Sequence, residues 1–551
     1  MAASSSSSSY KLKLIFHCCS ILFCAFLLLS TTTYAQTINT TTATIDSHIS
    51  SIKSICKSTP YPDPCFHSLK LSISINISPN IITYLLQSLN TALSEALSLS
   101  NLLSTLTPSS ILEKQRGALQ DCKDLQQITF SSLKKSLSRI NGGSTDSNKL
   151  SDARAFLSAA LTNKNTCFEG LDSASGPMKS TLVNSFINSY KHISNSLSIM
   201  PKPSKSSGST KHDGRRTLDI SIGGGGDDDY TDDATGLITV AKDGTGNFST
   251  IMDAINFAPN NSYDRIFIYI KEGIYEENVD IPTYKPNVVL LGDGVDVTVI
   301  TGNRSVGDGW TTFRSATVAV SSEGFLARDI TIQNTAGPAK HQAVALRINA
   351  DMAAVYRCAI YGYQDSLYTH SFRQFYRECD ISGTIDYIFG NAAVVFQGCN
   401  IISRLPMPGQ YNVITAQSRE SPDQDTGISI QNCSIVAAED LNPSSSSTLV
   451  KSYLGRPWKV YSRTVYIESY IDGFIDPMGW IPWSWSDNQG LNTLYYGEYA
   501  NSGPGSLTDN RVNWPGYHIM EYEDASNFTV SQFIAANEWL DSTSFPYDDA
   551  V

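Results

Sequence analysis

The 551-residue sequence contains no Cys-x-x-Cys pair, no His-Glu-x-x-His and no Gly-x-Ser-x-Gly. The first two absences remove the usual signatures of zinc binding, and the third removes the nucleophile elbow of serine hydrolases. Histidine is scarce: His341, His370 and His518 alone occupy the C-terminal part. None has triad context, and His341 and His370 are expected to be structural or to lie at a substrate rim. No metal and no cofactor is expected. Positive charge is in deficit, with 40 Lys and Arg against 52 Asp and Glu. A basic surface is what phosphate binding needs, so nucleic acid is not an expected partner. Beyond the N-terminus no run approaches the ~20 apolar residues of a membrane span. Tryptophan is missing from the first half, and all seven lie after Gly236.

What is present divides the chain. Lys11 and Lys13 precede an apolar stretch, Leu14 to Leu29, and small or polar residues run to Ala35. That order reads as a signal peptide over 1–35, with a short membrane anchor as the alternative. Residues 36–203 carry four segments with apolar residues at three- and four-residue spacing: Ile81–Leu106, Ile111–Ile140, Lys149–Leu171 and Met178–Ile199. This spacing predicts amphipathic helices, and short turns between them predict an all-α four-helix bundle. Residues 204–234 are Ser-, Gly- and charge-rich and read as a linker. Inside it, Arg215-Arg216-Thr217-Leu218 is a dibasic stretch in accessible chain, expected to be cut by a processing protease. Residues 235–551 form the second folded part.

Three cysteines, Cys18, Cys19 and Cys24, leave with the signal, and eight remain. An even remainder in a secreted chain reads as a disulfide framework. Cys56 and Cys65 would staple an N-terminal hairpin, and Cys122 and Cys167 lie on different predicted helices. In the C-terminal part, Cys379–Cys399 and Cys399–Cys433 both join neighbouring repeats, and the former is the expected pair. Sequons stand at Asn39, Asn76, Asn247, Asn260, Asn303, Asn432 and Asn527, compatible with glycosylation along a secretory route.

From Gly236 onward the apolar runs are short and β-rich, as at Ile266–Ile270, Val288–Leu291, Thr317–Val320 and Val394–Phe396. Cys-x-Ile recurs at Cys358, Cys379, Cys399 and Cys433, with first steps of 21 and 20 residues and a related Arg328-Asp329-Ile330 upstream. A period near twenty with β-type runs predicts the stacked coils of a right-handed parallel β-helix. Asp365 and Asp386 each lie seven residues after a repeat cysteine, in Gly362-Tyr363-Gln364-Asp365 and Gly383-Thr384-Ile385-Asp386. In-register coils would bring them about 4.8 Å apart. Carboxylates that close repel, so one is expected to stay charged and the other to hold a proton, as a nucleophile beside a general acid.

The strings GYQDSLYTH (362–370), DISGTIDYIFGNA (380–392), LGRPW (454–458) and GIYEENV (273–279) resemble the signature motifs of plant pectin methylesterases. The helical part, with its two cysteine pairs, resembles the pectinesterase-inhibitor domain. The resemblance covers nearly the whole chain. It implies a carboxylic ester hydrolase acting on methyl-esterified pectin in the cell wall, with its own or a separate inhibitor domain as partner. By the same resemblance Asp386 is the nucleophile, Asp365 the acid and base, and Gln364 and Gln342 oxyanion donors. Arg456 pairs with the nucleophile, Thr312 contacts substrate, and Trp458, with Tyr387 or Tyr363, offers a flat face to a sugar ring. Two other readings stay open: another β-helix enzyme on galacturonan, since paired carboxylates suit glycosidases too, and a non-catalytic pectin-binding wall protein. The helical part alone also suits an inhibitor of another wall enzyme, such as an invertase.

Overall fold

A computed structural model describes residues 17–26, 29–30, 46–70, 80–141, 146–203, 237–441, 450–486 and 488–551. The linker, its dibasic stretch Arg215–Leu218, Asn39, Asn76 and most of the expected targeting segment lie outside the described residues. No helix among the described residues is long and apolar enough to cross a membrane.

The first part is helical: α1 (46–57), α2 (Pro62–Lys70), α3 (Ile81–Thr105), α4 (Ala118–Ile140), α5 (Ser147–Asp172) and α6 (Lys179–Ile199). The inward face of α3 is Leu85, Leu89, Ala92, Ala96, Leu99 and Leu103, steps of four and three that keep one stripe toward the core. Asn80 starts α3 by accepting the Thr83 N–H at 2.8 Å, and Asp146 starts α5 in the same way, each satisfying amides with no helical partner. Helices α3 to α6 pack in sequence, and α6 closes back on α3. Disulfides join Cys56 to Cys65 and Cys122 to Cys167. The second ties α4 to α5 across 45 residues, a closure worth about 4 kcal/mol on chain-entropy grounds.

Sequence periodicity starts the second long helix at Ile111, whereas α4 starts at Ala118. Residues before it leave the helical path in a bent segment with two isolated bridges, at Leu112 and Arg116. Leu112 exchanges backbone bonds with Ser175, and the Arg116 N–H donates to the Gly309 carbonyl of the second part at 2.7 Å. Gly117 then turns into α4 at φ 89°, where Glu113 accepts its N–H.

The second part is a parallel β-helix of three sheets, with 11, 8 and 7 strands, every ladder parallel. Its interior is built from stacked equivalents. Ile300, Ile332, Ile360, Ile381, Ile401, Ile435 and Ile471 pair in one continuous register, all fully buried. Each contributes roughly 1.5–3 kcal/mol of apolar burial. The upstream triplet is shifted from the sequence reading: Ala359 pairs with Thr331, so Ile330 occupies the cysteine position and Ile332 the isoleucine position. Six coils turn just before that position through a left-handed residue: Asp329, Arg357, Glu378, Gly398, Asn432 and Glu468.

The expected Cys379–Cys399 bridge is not formed. Cys358, Cys379, Cys399 and Cys433 are buried free thiols. The Cys379 N–H donates to Cys399 Sγ, the Cys399 N–H to Cys433 Sγ, and the Cys433 N–H to Ser469 Oγ. Side chains of one ladder project in parallel and serve the preceding coil as acceptors, whereas a disulfide needs Cβ atoms that converge. Of the sequons, Asn247, Asn260, Asn303 and Asn432 are exposed. Asn527 is half-buried, and its amide donates to Glu523 and Asp524 carbonyls.

Alkylation in denaturant without reductant should label Cys358, Cys379, Cys399 and Cys433 and spare Cys56, Cys65, Cys122 and Cys167. Peptide masses check it; an unlabelled Cys379–Cys399 peptide pair would contradict the thiol ladder.

Candidate active site

The seven-stranded sheet carries the residues singled out by the repeat. Strands Leu367–Thr369 and Ile385–Gly390 pair with Leu367 opposite Ile388 and Tyr368 opposite Phe389. The Asp365 N–H donates to the Ile385 carbonyl at 3.0 Å, which sets Asp365 beside Asp386 on the next coil. Both residues have positive φ, 64° and 52°, a region that aspartate tolerates better than most side chains and that often marks functional positions. The glycine three residues before each is dictated by packing. A Cβ on Gly362 would lie 2.6 Å from Ser366 Oγ, and one on Gly383 would lie 2.2 Å from Tyr387 Cβ.

The two carboxylates have different surroundings. Asp386 is held in a fork by Arg456, Nε to Oδ1 at 2.9 Å and Nη2 to Oδ2 at 2.6 Å. The third guanidinium nitrogen donates to the Tyr411 hydroxyl, and the guanidinium stacks over Trp483 at 4.3 Å. Asp365 has no such fork. Burial, followed by repulsion from Asp386, pushes its carboxyl well above the usual carboxylate range, with Arg456 pulling the other way. The pair is arranged as one ion-paired carboxylate beside one that favours its proton.

Gln342 and Gln364 are half-buried on neighbouring coils, where the Ala343 N–H donates to the Gln364 carbonyl. Thr312 is half-buried at the start of the short helix Phe313–Ser315. Trp458 stacks on Trp483 with centroids 6.4 Å apart and lies 6.0 Å from Phe389, which stacks on Tyr368 at 4.1 Å. Tyr387 is not a sugar platform. It points into the β-helix, fully buried, with its hydroxyl on Ser403, because neighbours in a strand face opposite ways and Asp386 takes the outer face. Tyr363 is covered by Arg404, 4.0 Å from its ring centroid.

The helical bundle lies across this face. Phe313, Val344, Tyr368, Phe389, Ala416 and Trp458 share one apolar cluster with the bundle core. Thr166 Oγ1 of α5 meets His370 Nε2 at 2.8 Å, so His370 is buried at the contact. Ion pairs ring the cluster: Asp152 with Arg373, Arg154 with Asp425, Lys164 with Glu420, Glu169 with Lys459, and Asp121 with Arg314. Glu169 is near enough to add to the upward push on Asp365.

The family model "Pectinesterase" matches residues 237–537, over half of the chain. The chain belongs to the pectinesterase family. The inhibitor model, "Plant invertase/pectin methylesterase inhibitor", matches residues 50–199. A "Probable pectinesterase/pectinesterase inhibitor 12" of Arabidopsis thaliana is 63% identical over 97% of this chain and 99% of its own. "Pectinesterase 2" of Citrus sinensis is 45% identical over 91% of this chain and 95% of its own. Among solved structures, a pectin methylesterase from carrot matches with TM-score 0.56 and 53% identity, covering 57% of this chain and 98% of that one. The carrot structure therefore corresponds to the β-helix part alone. That agrees with the self-contained β-helix interior, whose buried cluster draws on residues 238–512 only.

Sequence reasoning about this pectinesterase passed over Tyr368, Phe389, Tyr411, Trp483 and Lys459. Tyr368 and Phe389 had a signal, since each lies three residues after its aspartate in the same phase of the repeat. Trp483 and Tyr411 come from loops outside the repeat and carried none.

Asp365 generates a prediction about stability. A carboxyl raised in the folded state costs nothing below its ordinary value near 4, where folded and unfolded forms are both protonated. The cost grows as pH rises toward the raised value. Asp365→Asn should therefore raise the thermal midpoint at pH 7 more than at pH 4, as calorimetry at the two pH values would read. An equal shift at both would contradict the raised carboxyl.

Proposed function

We propose that the chain is a secreted pectin methylesterase that removes methyl esters from the C6 carboxyl of galacturonate in cell-wall pectin. The observation that carries this reading is the pair Asp365 and Asp386 on adjacent coils, one forked by Arg456 and the other favouring its proton. Asp386 attacks the ester carbonyl carbon, and the tetrahedral oxyanion is met by the uncharged amide donors of Gln364 and Gln342. The C–O bond to the methoxy group breaks as Asp365 gives up its proton, so methanol leaves and an acyl anhydride to Asp386 remains. Water then attacks the same carbonyl carbon while Asp365, now a carboxylate, takes a proton back. Galacturonate and the Asp386 carboxylate are released. Arg456 fixes the nucleophile's orientation and balances its charge, a task for a planar guanidinium rather than an ammonium. Trp458 and Thr312 hold the sugar chain.

The bundle acts as a built-in inhibitor, because it buries the aromatic face on which a pectin chain would lie. The dibasic stretch Arg215-Arg216-Thr217-Leu218 is the point at which a protease frees the β-helix on the way to the wall. The apolar stretch Leu14–Leu29 directs the chain into that route, and the exposed sequons at Asn247, Asn260, Asn303 and Asn432 suit glycosylation there.

Asp365→Asn and Asp386→Asn in the 237–551 unit should each lower methanol release by about 10²–10⁴-fold, with the circular dichroism of the wild type retained. Polymer length should stay constant during wild-type turnover, as size-exclusion chromatography would read. Shortened polymer would favour a glycosidase, and full methanol release by either folded variant would remove the aspartates from the mechanism.

A further inference from the structure

The cations beneath the bundle differ in what they keep when the bundle leaves. Arg456 keeps Asp386, and Arg373 keeps Asp351 at 2.7 Å. Lys459 keeps nothing: among the described residues its one ion pair is with Glu169 of α5, at 3.0 Å. Its place is set by the fold. Lys459 follows Trp458 on the turn after strand Ser452–Gly455, the Ser462 N–H donates to its carbonyl, and its ammonium sits 5.5 Å from the Trp458 ring centroid. An ammonium thus borders the ring that would carry a sugar, three residues along the chain from Arg456.

Glu169 is an odd choice for that place on structural grounds alone. Its Oε1 is cut off from solvent with no other polar partner among the described residues. It also brings a third negative charge toward Asp365. The rest of its side chain reaches solvent, and the oxygen it hides is the one that meets the ammonium. A pectin chain presents the same group, since every turnover leaves a galacturonate carboxylate beside esters still to be cleaved.

We infer that Lys459 is a subsite for a free galacturonate carboxylate next to the residue being de-esterified, and that Glu169 occupies it in the intact chain as a mimic of that carboxylate. This rests on the esterase reading. The subsite favours attack beside an already de-esterified residue and gives the product a hold on the groove. Loss of one charge-assisted contact of this kind changes affinity by about tenfold.

The test compares wild type, Lys459→Gln and Lys459→Arg as the 237–551 unit, on fully and on half methyl-esterified oligogalacturonides. The ratio of kcat/KM for half-esterified over fully esterified substrate should fall about tenfold in Lys459→Gln and be restored in Lys459→Arg. A ratio unchanged in Lys459→Gln overturns the subsite. If wild type releases no methanol, the esterase reading fails separately, and calorimetric titration with de-esterified oligogalacturonate still decides the subsite. Tighter binding to wild type than to Lys459→Gln supports it, and equal binding overturns it.

Discussion

In-register pairing of successive coils is the constraint on which the molecule depends. It stacks seven isoleucines into one ladder inside and, by the same arithmetic, sets Asp365 beside Asp386 outside. Two unit charges about 5 Å apart in a setting of effective dielectric near 20 repel by about 3 kcal/mol. The coil cannot relieve that repulsion without breaking its register. One carboxyl therefore takes the Arg456 fork and the other favours its proton, and a protonated carboxyl next to an ion-paired carboxylate follows from the stacking of the backbone.

The bundle exploits the same face. Its helices α4 and α5 bring apolar residues to the aromatic stripe and charged ones to the rim, so the contact is apolar at its centre and ion-paired at its edge. Burial of His370 against Thr166 shows how closely the two parts fit.

Much of this was legible in the sequence where a period carried it. The three-and-four spacing of Leu85, Leu89, Ala92, Ala96, Leu99 and Leu103 announced a helix, and the Cys-x-Ile repeat announced coils and the phase of the two aspartates. The failures came where the period stops informing. Sequence does not say that ladder cysteines project in parallel, so a bridge looked plausible where a row of thiols stands. The motif leaves Tyr387 and Tyr363 as alternative sugar platforms, and strand alternation removes Tyr387 by turning it inward beside an outward Asp386. Ile111–Arg116 keep helical spacing yet are not helical, because Leu112 and Arg116 find backbone partners at Ser175 and Gly309. Trp483 reaches Arg456 from a loop, and only the folded chain reveals it.

The most direct test is methanol release from methyl-esterified pectin by the intact chain and by the 237–551 unit at equal concentration. A groove floored by Tyr368, Phe389 and Trp458 and buried under α4 and α5 predicts that the unit turns over many times faster than the intact chain. Equal rates from the two proteins would contradict it.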